Sequence, residues 1–275
     1  MQHSEHGHGW IKGRRVDLGA RDPEYIRAML PMVWMLTSLY FRAEVRGLSR
    51  IPKSGPVLFV GNHSGGNMTP DSLVFVLAFN TYFGVERPLY SLGHSLVTAW
   101  PVIGKWLERW GTLTASQGAA ARVLESGACV LVYPGGDVEV HRPWRDRYAL
   151  DFAGRKGFIH LARNTRVPIV PLVACGGHST YLPLTDGRKI AHALRLDRIA
   201  RLRVLPISLA LPWGLNIGDF LGHIPLPSKI VMEALPPILV HERFPHEEDT
   251  DRAYDYITLL MQETLVALSA ERLAA

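Results

Sequence analysis

Three stretches of the chain are apolar almost without interruption: Val57–Val60, Ala128–Tyr133 and Val167–Cys175. A strand exposed on one face alternates apolar and polar residues, whereas a strand covered on both faces does not, so these read as buried strands. Their ends carry turn residues: Pro56 opens the first and Gly61 closes it, and Gly127 and Pro134 bracket the second. Shorter strands are expected near Ala43–Arg46, Leu89–Leu92, Thr112–Thr114 and in the late run Lys229–Leu235. Helical patterns lie between them. One covers about 24–41. One starts at Thr69-Pro70-Asp71 and continues through Leu73, Val74, Val76, Leu77 and Ala78. Others cover 95–109, 117–126 behind a Ser116 cap, Phe152–Asn164, and Asp249–Ala270 with acidic residues in its first turns, where the helix dipole favours them. The segment 177–227 is rich in Gly, Pro and Arg and reads as irregular. This alternation predicts an α/β fold, a mixed central sheet flanked by helices, with an N-terminal amphipathic or interfacial helix.

The longest helical apolar runs are Met29–Phe41 and Leu73–Val85, 13 residues each, against roughly 18–20 for a helix that spans a bilayer. The first carries Trp34 and Tyr40 and is flanked by Arg27 and Arg42. Such a run suits a helix lying in the headgroup region or one packed on the core, and the pattern leaves both open. The segment Met1–Arg15 is polar and lacks the apolar stretch of a secretory signal. Its His3, His6 and His8 read as a frayed terminus rather than a metal site. Cys129 and Cys175 sit in apolar runs without metal-ligand spacing, as buried free thiols of a reducing compartment do.

Composition adds little to this until it is divided. Over 275 residues the formal charge is +5, and 47% of positions are apolar, an ordinary globular balance that excludes a disordered chain, a collagen and a coiled coil. By segment, residues 1–141 carry +2, residues 142–203 carry +9 (13 basic against 4 acidic) and residues 204–275 carry −6. A basic middle suits an anionic substrate, an anionic membrane surface or nucleic acid. Of the 30 basic residues 24 are Arg, so an Arg-biased composition explains the same excess.

Two segments carry candidate chemistry. In LFVGNHSGGNMTPDS, residues 58–72, a strand delivers His63 to a Gly-rich loop, and Asp71 follows at a helix start. Histidine is the natural general base near neutral pH. It needs an acceptor on its other ring nitrogen to fix the tautomer, which an Asp supplies in triad-type sites. Gly65 and Gly66 leave room for a substrate. In VLVYPGGDVEVHRPWRDR, residues 130–147, Pro134-Gly135-Gly136 turns the chain, and Glu139, His141, Arg142, Arg145 and Arg147 follow. Backbone amides at such a turn cradle anions, and Arg adds bidentate bonding to phosphate. A third segment, Gly93-His94-Ser95 after a strand, is similar to a nucleophile elbow, with Val97 where a Gly is usual. Dinucleotide-binding, P-loop and zinc-protease motifs are absent, and no legible nucleic-acid fold appears, so no nucleic-acid partner is expected.

In combination and order, these segments resemble the glycerolipid acyltransferase superfamily, which includes the 1-acylglycerol-3-phosphate acyltransferases. The resemblance covers roughly residues 40–240. Val57–Asp71 is similar to the first block, an Asn-His followed by an Asp. Trp110-Gly111-Thr112-Leu113 resembles the second. Tyr133-Pro134-Gly135-Gly136, with Glu139 and Arg142, sits at the Phe-Pro-Glu-Gly type turn of the third. Val167–Pro171 resembles the fourth, and Pro225–Ile230 a late segment. Two departures stand out: seven residues separate His63 from Asp71 where the family usually has four, and the Pro-Gly-Gly turn resembles the diacylglycerol-acyltransferase branch.

The resemblance implies O-acyl transfer from an acyl thioester (acyl-CoA or acyl-carrier protein, as co-substrate) to a lysophospholipid or other glycerolipid hydroxyl, with no bound cofactor or metal. It implies His63 as general base, Asp71 as its partner, and Gly135, Gly136, Glu139, Arg142 and Arg145 around the substrate or phosphate. It further implies a peripheral or monotopic protein on the cytoplasmic face of a membrane. Residues 1–48 would form a polar tail and membrane-proximal helix, and 49–275 the catalytic domain. A serine hydrolase or thioesterase using Ser95, and a non-enzymatic lipid-binding domain, are the competing readings.

Overall fold

The computed structural model describes residues 17–196 and 202–274; His3, His6 and His8 lie outside them. The strands are β1 (Glu44–Arg46), β2 (Leu58–Gly61), β3 (Leu89–Gly93), β4 (Thr112–Thr114), β5 (Cys129–Val132), β6 (Ile169–Cys175), β7 (Leu182–Thr185), β8 (Ile207–Ala210), β9 (Gly214–Ile217) and β10 (Val231–Ala234). Seven of them form one sheet in the order β1-β10-β6-β2-β5-β3-β4. Every neighbouring pair in it is parallel except β10 with β6. The expected mixed α/β sheet is therefore present.

The continuous apolar runs occupy its centre because both faces are covered. Along β2, Leu58 and Val60 face one core with Val130, Val132, Phe158 and Ile257. Phe59 faces the other with Phe75, Phe79 and Leu131. Helices α5 (Gln117–Glu125), α7 (Gly157–Thr165) and α10 (Thr250–Ala274) supply the first face, and α2 (Pro70–Phe83) supplies the second. Ser116 caps α5 by accepting from the Ala119 N–H, as its position implied. The acidic C-terminal part lies over the basic middle, with Lys156 paired to Asp251 at 2.5 Å and Arg163 to Glu247 at 3.2 Å. Part of the +9 segment is thus neutralised within the fold.

The N-terminal helix does two things at once. Helix α1 (Pro23–Met35), continued by a wider turn over Leu36–Tyr40, buries Ile26 and Val33 against Leu77, Val85 and Trp110. Its other side exposes Met32, Trp34, Met35, Leu36 and Leu39. Core packing and an apolar outer stripe coexist on one element. Among the described residues no helix is long and apolar enough to cross a membrane.

Two sequence expectations are corrected. The helix expected from Phe152 begins only at Gly157, because Ala153 and Gly154 take left-handed φ values of 52° and 66° and no helix runs through them. The segment 177–227 is not wholly irregular: β7, β8 and β9 form a separate antiparallel sheet in that order. Its strands are four residues long and carry Gly and Pro at their ends, which hid them.

Strand β2 is the strand on which the rest converges. It is hydrogen-bonded to β5 on one side and β6 on the other, and its carboxyl end is where open α/β sheets place ligands. Asn62, the first residue beyond it, lengthens this ladder through its side chain. Its Nδ2 donates to the Ala174 carbonyl at 2.9 Å, and its Oδ1 accepts from the Ala174 N–H at 2.7 Å. Replacing Asn62 by Ala orphans both backbone groups inside the protein. The expected loss is about 1–3 kcal/mol, read as a lowered urea midpoint; an unchanged midpoint contradicts this role.

Candidate active site

Asn62 fixes where the chain leaves β2, and His63 follows. Its imidazole lies face to face with the Tyr133 ring, centroids 3.9 Å apart and planes 12° from parallel. Tyr133 comes from the end of the neighbouring β5, so two adjacent strand ends build the platform together. The Tyr133 hydroxyl accepts from Ser72 Oγ at 3.1 Å, and burial holds its phenol well above the usual tyrosine range, so it stays neutral.

Asp71 closes the pair. Its Oδ2 lies 3.2 Å from His63 Nδ1 and accepts the Ser64 N–H at 2.8 Å, and its Oδ1 accepts the Ser72 N–H at 2.7 Å. The Asp71 side chain is fully buried and the His63 side chain is 13% exposed. With Nδ1 on Asp71, Nε2 is the ring nitrogen left for chemistry. Asp71 also sits in the first turn of a 14-residue helix, whose dipole favours a negative charge there.

The seven intervening residues are accommodated by a tight turn over Gly66–Met68. Gly66 has φ +61°, and a Cβ on it would come within 2.7 Å of both Asp219 and His223, so glycine is required twice over. Thr69 takes φ +40° to enter α2, a strained conformation for a β-branched residue. The turn is tied down from 150 residues away: Asp219 Oδ2 accepts the Asn67 N–H at 2.8 Å, and the Asp219 carbonyl accepts from Asn67 Nδ2 at 2.7 Å. Asp219 also meets His223 Nδ1 at 3.0 Å. Burial pushes its carboxyl up, but His223 and the Asn67 N–H outweigh that and hold it below its ordinary value.

The Pro-Gly-Gly turn has a different geometry from the expected anion cradle. Helix α6 (Gly136–Val140) starts within it, and the Gly136 N–H donates to the Tyr133 carbonyl. Gly135 makes room for Glu139: a Cβ there would lie 2.4 Å from the Glu139 carboxylate. Glu139 is fully buried, and its Oε2 accepts the backbone N–H of His63 at 3.0 Å. Arg142 faces it at 3.2 Å with its side chain 4% exposed. Both residues therefore point inward to hold the His63 backbone, not outward to a phosphate. Arg145, by contrast, is 84% exposed beside Asp146.

Several contributors were invisible in the sequence. Arg155 Nη1 donates to the carbonyls of Pro134 and Gly135 at 2.9 and 2.8 Å, clamping the turn. His178 donates to, or accepts at, no side chain of the pair, but its Nε2–H donates to the Arg142 carbonyl at 3.0 Å. Burial and Arg142 keep its pKa well below the usual value, and burial lowers His141 to about 4, so both are neutral at pH 7. Asn62 had a signal, as the partner of His63 in the Asn-His pair, and His141 stood among the polar residues after the Pro-Gly-Gly turn. Ser95 follows β3, which is separated from β2 by β5, so the two loops leave strands roughly 10 Å apart. Grooves of about 510 and 320 Å³ flank Trp34 between α1 and α2, and neither includes His63. Among the described residues no cluster of His, Cys, Asp or Glu is placed to hold a metal ion.

Comparison with known proteins fits this arrangement. The fold is similar to the crystal structure of the 1-acyl-sn-glycerophosphate acyltransferase PlsC from Thermotoga maritima, with a TM-score of 0.56 at 18% identity over 91% of this chain and 84% of that one. The family described as Acyltransferase matches residues 42–174, the stretch that holds His63, Asp71, Glu139 and Arg142. The chain belongs to this Acyltransferase family. Within it, an uncharacterized protein of Mycobacterium tuberculosis is 32% identical over 94% of this chain and 70% of its own length. Phytyl ester synthase 1 of Arabidopsis thaliana is 29% identical over 48% of this chain and 19% of its own.

The buried Glu139–Arg142 pair gives a signed prediction. Burial raises the Glu139 carboxyl to about 7, against the pull of Arg142 and of the His63 N–H. A carboxyl raised on folding loses stability as pH rises from its unfolded value through its folded one. Arg142→Gln removes the counter-charge, raises that carboxyl further and widens the window upward. The variant is expected to lose about 3–5 kcal/mol at roughly pH 8 and distinctly less at roughly pH 5. Urea unfolding at the two pH values reads this, and an equal loss at both contradicts it.

Proposed function

We propose that this protein transfers an acyl group from an acyl thioester, carried by coenzyme A or an acyl-carrier protein, to a hydroxyl of a lysophospholipid or other glycerolipid. The observation that carries the reading is the His63–Asp71 pair, 3.2 Å apart where the loop leaving the central strand meets the start of α2, with only the histidine reaching solvent. His63 Nε2 takes the proton of the acceptor hydroxyl as its oxygen attacks the thioester carbonyl. Asp71 orients the ring and stabilises the imidazolium that forms. The tetrahedral intermediate then collapses, the carbon–sulfur bond breaks, and the imidazolium returns the proton to the leaving thiolate. This route needs neither a covalent enzyme intermediate nor a bound cofactor.

Arg145 is the phosphate contact in this reading, being the exposed cation of the expected set. The catalytic domain is residues 49–275, with β1 from the preceding segment paired to its β10. In this reading the protein sits peripherally on the cytoplasmic face of a membrane, and the apolar outer stripe of α1 supports the membrane contact. The Pro-Gly-Gly turn and the similarity to a phytyl ester synthase favour including neutral alcohols among the acceptors.

Purified protein is assayed with acyl-CoA and acyl-carrier protein against lysophosphatidate, other lysophospholipids, diacylglycerol and phytol. His63→Ala is expected to lower kcat/KM by about 10²–10⁴ with the fold intact, and near-normal transfer contradicts the reading. A fluorophosphonate probe separates the hydrolase alternative: labelling that disappears in Ser95→Ala favours a serine nucleophile.

A further inference from the structure

The small sheet β7–β8–β9 is built inside out. In a sheet with one solvated face the buried side is normally apolar and the open side polar. Here the buried side carries Ser208, wholly inaccessible, and Asn216, 8% exposed. Both are satisfied locally: Ser208 Oγ donates to the Asn216 carbonyl, and Asn216 Nδ2 donates to Asp219 at 2.9 Å. The register pairs Leu209 with Leu215 and Ile207 with Ile217 on the opposite face. Leu209, Leu215 and Ile217 are 45, 61 and 55% exposed, and beyond the strands Trp213, Phe220 and Leu221 are 50, 54 and 72% exposed. An apolar patch of this extent marks a contact surface.

We propose that this outer face docks on a lipid bilayer, as a second membrane contact besides α1. Two observations select a bilayer with anionic headgroups as the occupant. The first is charge: the connection from β7 to β8 begins with α8 (Arg188–Ala193), and Lys189, Arg195 and Arg203 around it are exposed. The Leu205 N–H donates to the Asp186 carbonyl, which sets this connection at one end of the sheet, and cations at the end of an apolar face complement anionic lipid. The second is continuity with α1: Tyr40, at the end of the N-terminal helical segment, donates its hydroxyl to the Pro225 carbonyl at 2.5 Å. Pro225 lies between the exposed Ile224 and Leu226, and Ile224 forms a bridge with Leu211 just beyond β8, so the N-terminal segment is joined to the edge of this face.

The placement bears on the active site as well. Met68, 46% exposed in the turn between His63 and Asp71, reaches Gly222 of the segment after β9, and Asp219 holds the Asn67 N–H. The turn beside the catalytic pair is thus fastened to the polar side of a sheet whose apolar side meets lipid. The wide His63–Asp71 spacing has a physical use here: it lets the loop reach this sheet.

Flotation with vesicles of phosphatidylcholine, alone or mixed with phosphatidylglycerol, tests the proposal on the full chain. Wild type is expected to float with the mixed vesicles, and Leu215→Ser/Ile217→Ser to lose affinity by about tenfold or more. Lys189→Glu/Arg203→Glu is expected to lose affinity for the anionic vesicles alone. All these side chains are exposed, so far-UV circular dichroism and the thermal midpoint should stay as in wild type. His63→Ala should float like wild type, which keeps this result separate from the outcome for acyl transfer. Wild type that remains unbound, or Leu215→Ser/Ile217→Ser that floats undiminished, overturns the proposal. So does a wild-type dimer that the double substitution dissociates while flotation is unchanged; the face would then join two copies of the chain.

Discussion

A carboxylate without access to water needs hydrogen-bond donors on both its oxygens, and the placement of Asp71 follows from that requirement. Its two oxygens receive the N–H groups of Ser64 and Ser72 and the His63 ring. Those bonds can form only if the chain leaves β2 in one direction and re-enters a helix in another, so the carboxylate specifies the loop around it. Losing one of them would leave a buried charge partly unsolvated, which is costly in a low-dielectric interior. The histidine is thereby held by its backbone neighbour and by its ring.

Glu139 answers the same problem from the other side. It holds the His63 N–H while Arg142 neutralises it. The loop therefore hangs between two buried acids, Asp71 at the Nδ1 edge of the ring and Glu139 on the backbone N–H. Gly135 exists in this scheme because Glu139 passes where its side chain would be. A third carboxylate, Asp219, fixes the far end of the turn from a separate sheet. Three acidic residues from three parts of the chain thus set one short loop.

Much of this was legible in the sequence, and the boundary is physical. The uninterrupted runs around Phe59, Leu131 and Val170 announced doubly covered strands, because burial on both faces removes the need for alternation. His63 and Asp71 were visible because a strand end, a Gly-rich loop and a helix start concentrate polar groups in a few residues. The direction of a side chain was not visible. Glu139 and Arg142 look like a surface acid and base in a basic run, and only the packing of Gly135 turns them inward. The partnership of Asn67 with Asp219 spans 152 positions and leaves no local trace. The small sheet was missed for a different reason: its strands are only four residues long and stand among Gly and Pro, too short for alternation to register. The charge count also changes meaning, since Lys156 and Arg163 of the basic middle meet acids of the C-terminal part.

The most direct test of the account concerns one proton. If Asp71 orients His63, the neutral imidazole carries its hydrogen on Nδ1 and leaves Nε2 bare to accept the proton of a hydroxyl. Nitrogen NMR on protein labelled at histidine, with His63 assigned by its disappearance in His63→Gln, reports the tautomer. The account predicts the Nδ1–H form in wild type and its loss or redistribution in Asp71→Asn. An Nε2–H tautomer in wild type, or a His63 spectrum indifferent to Asp71→Asn, would contradict it.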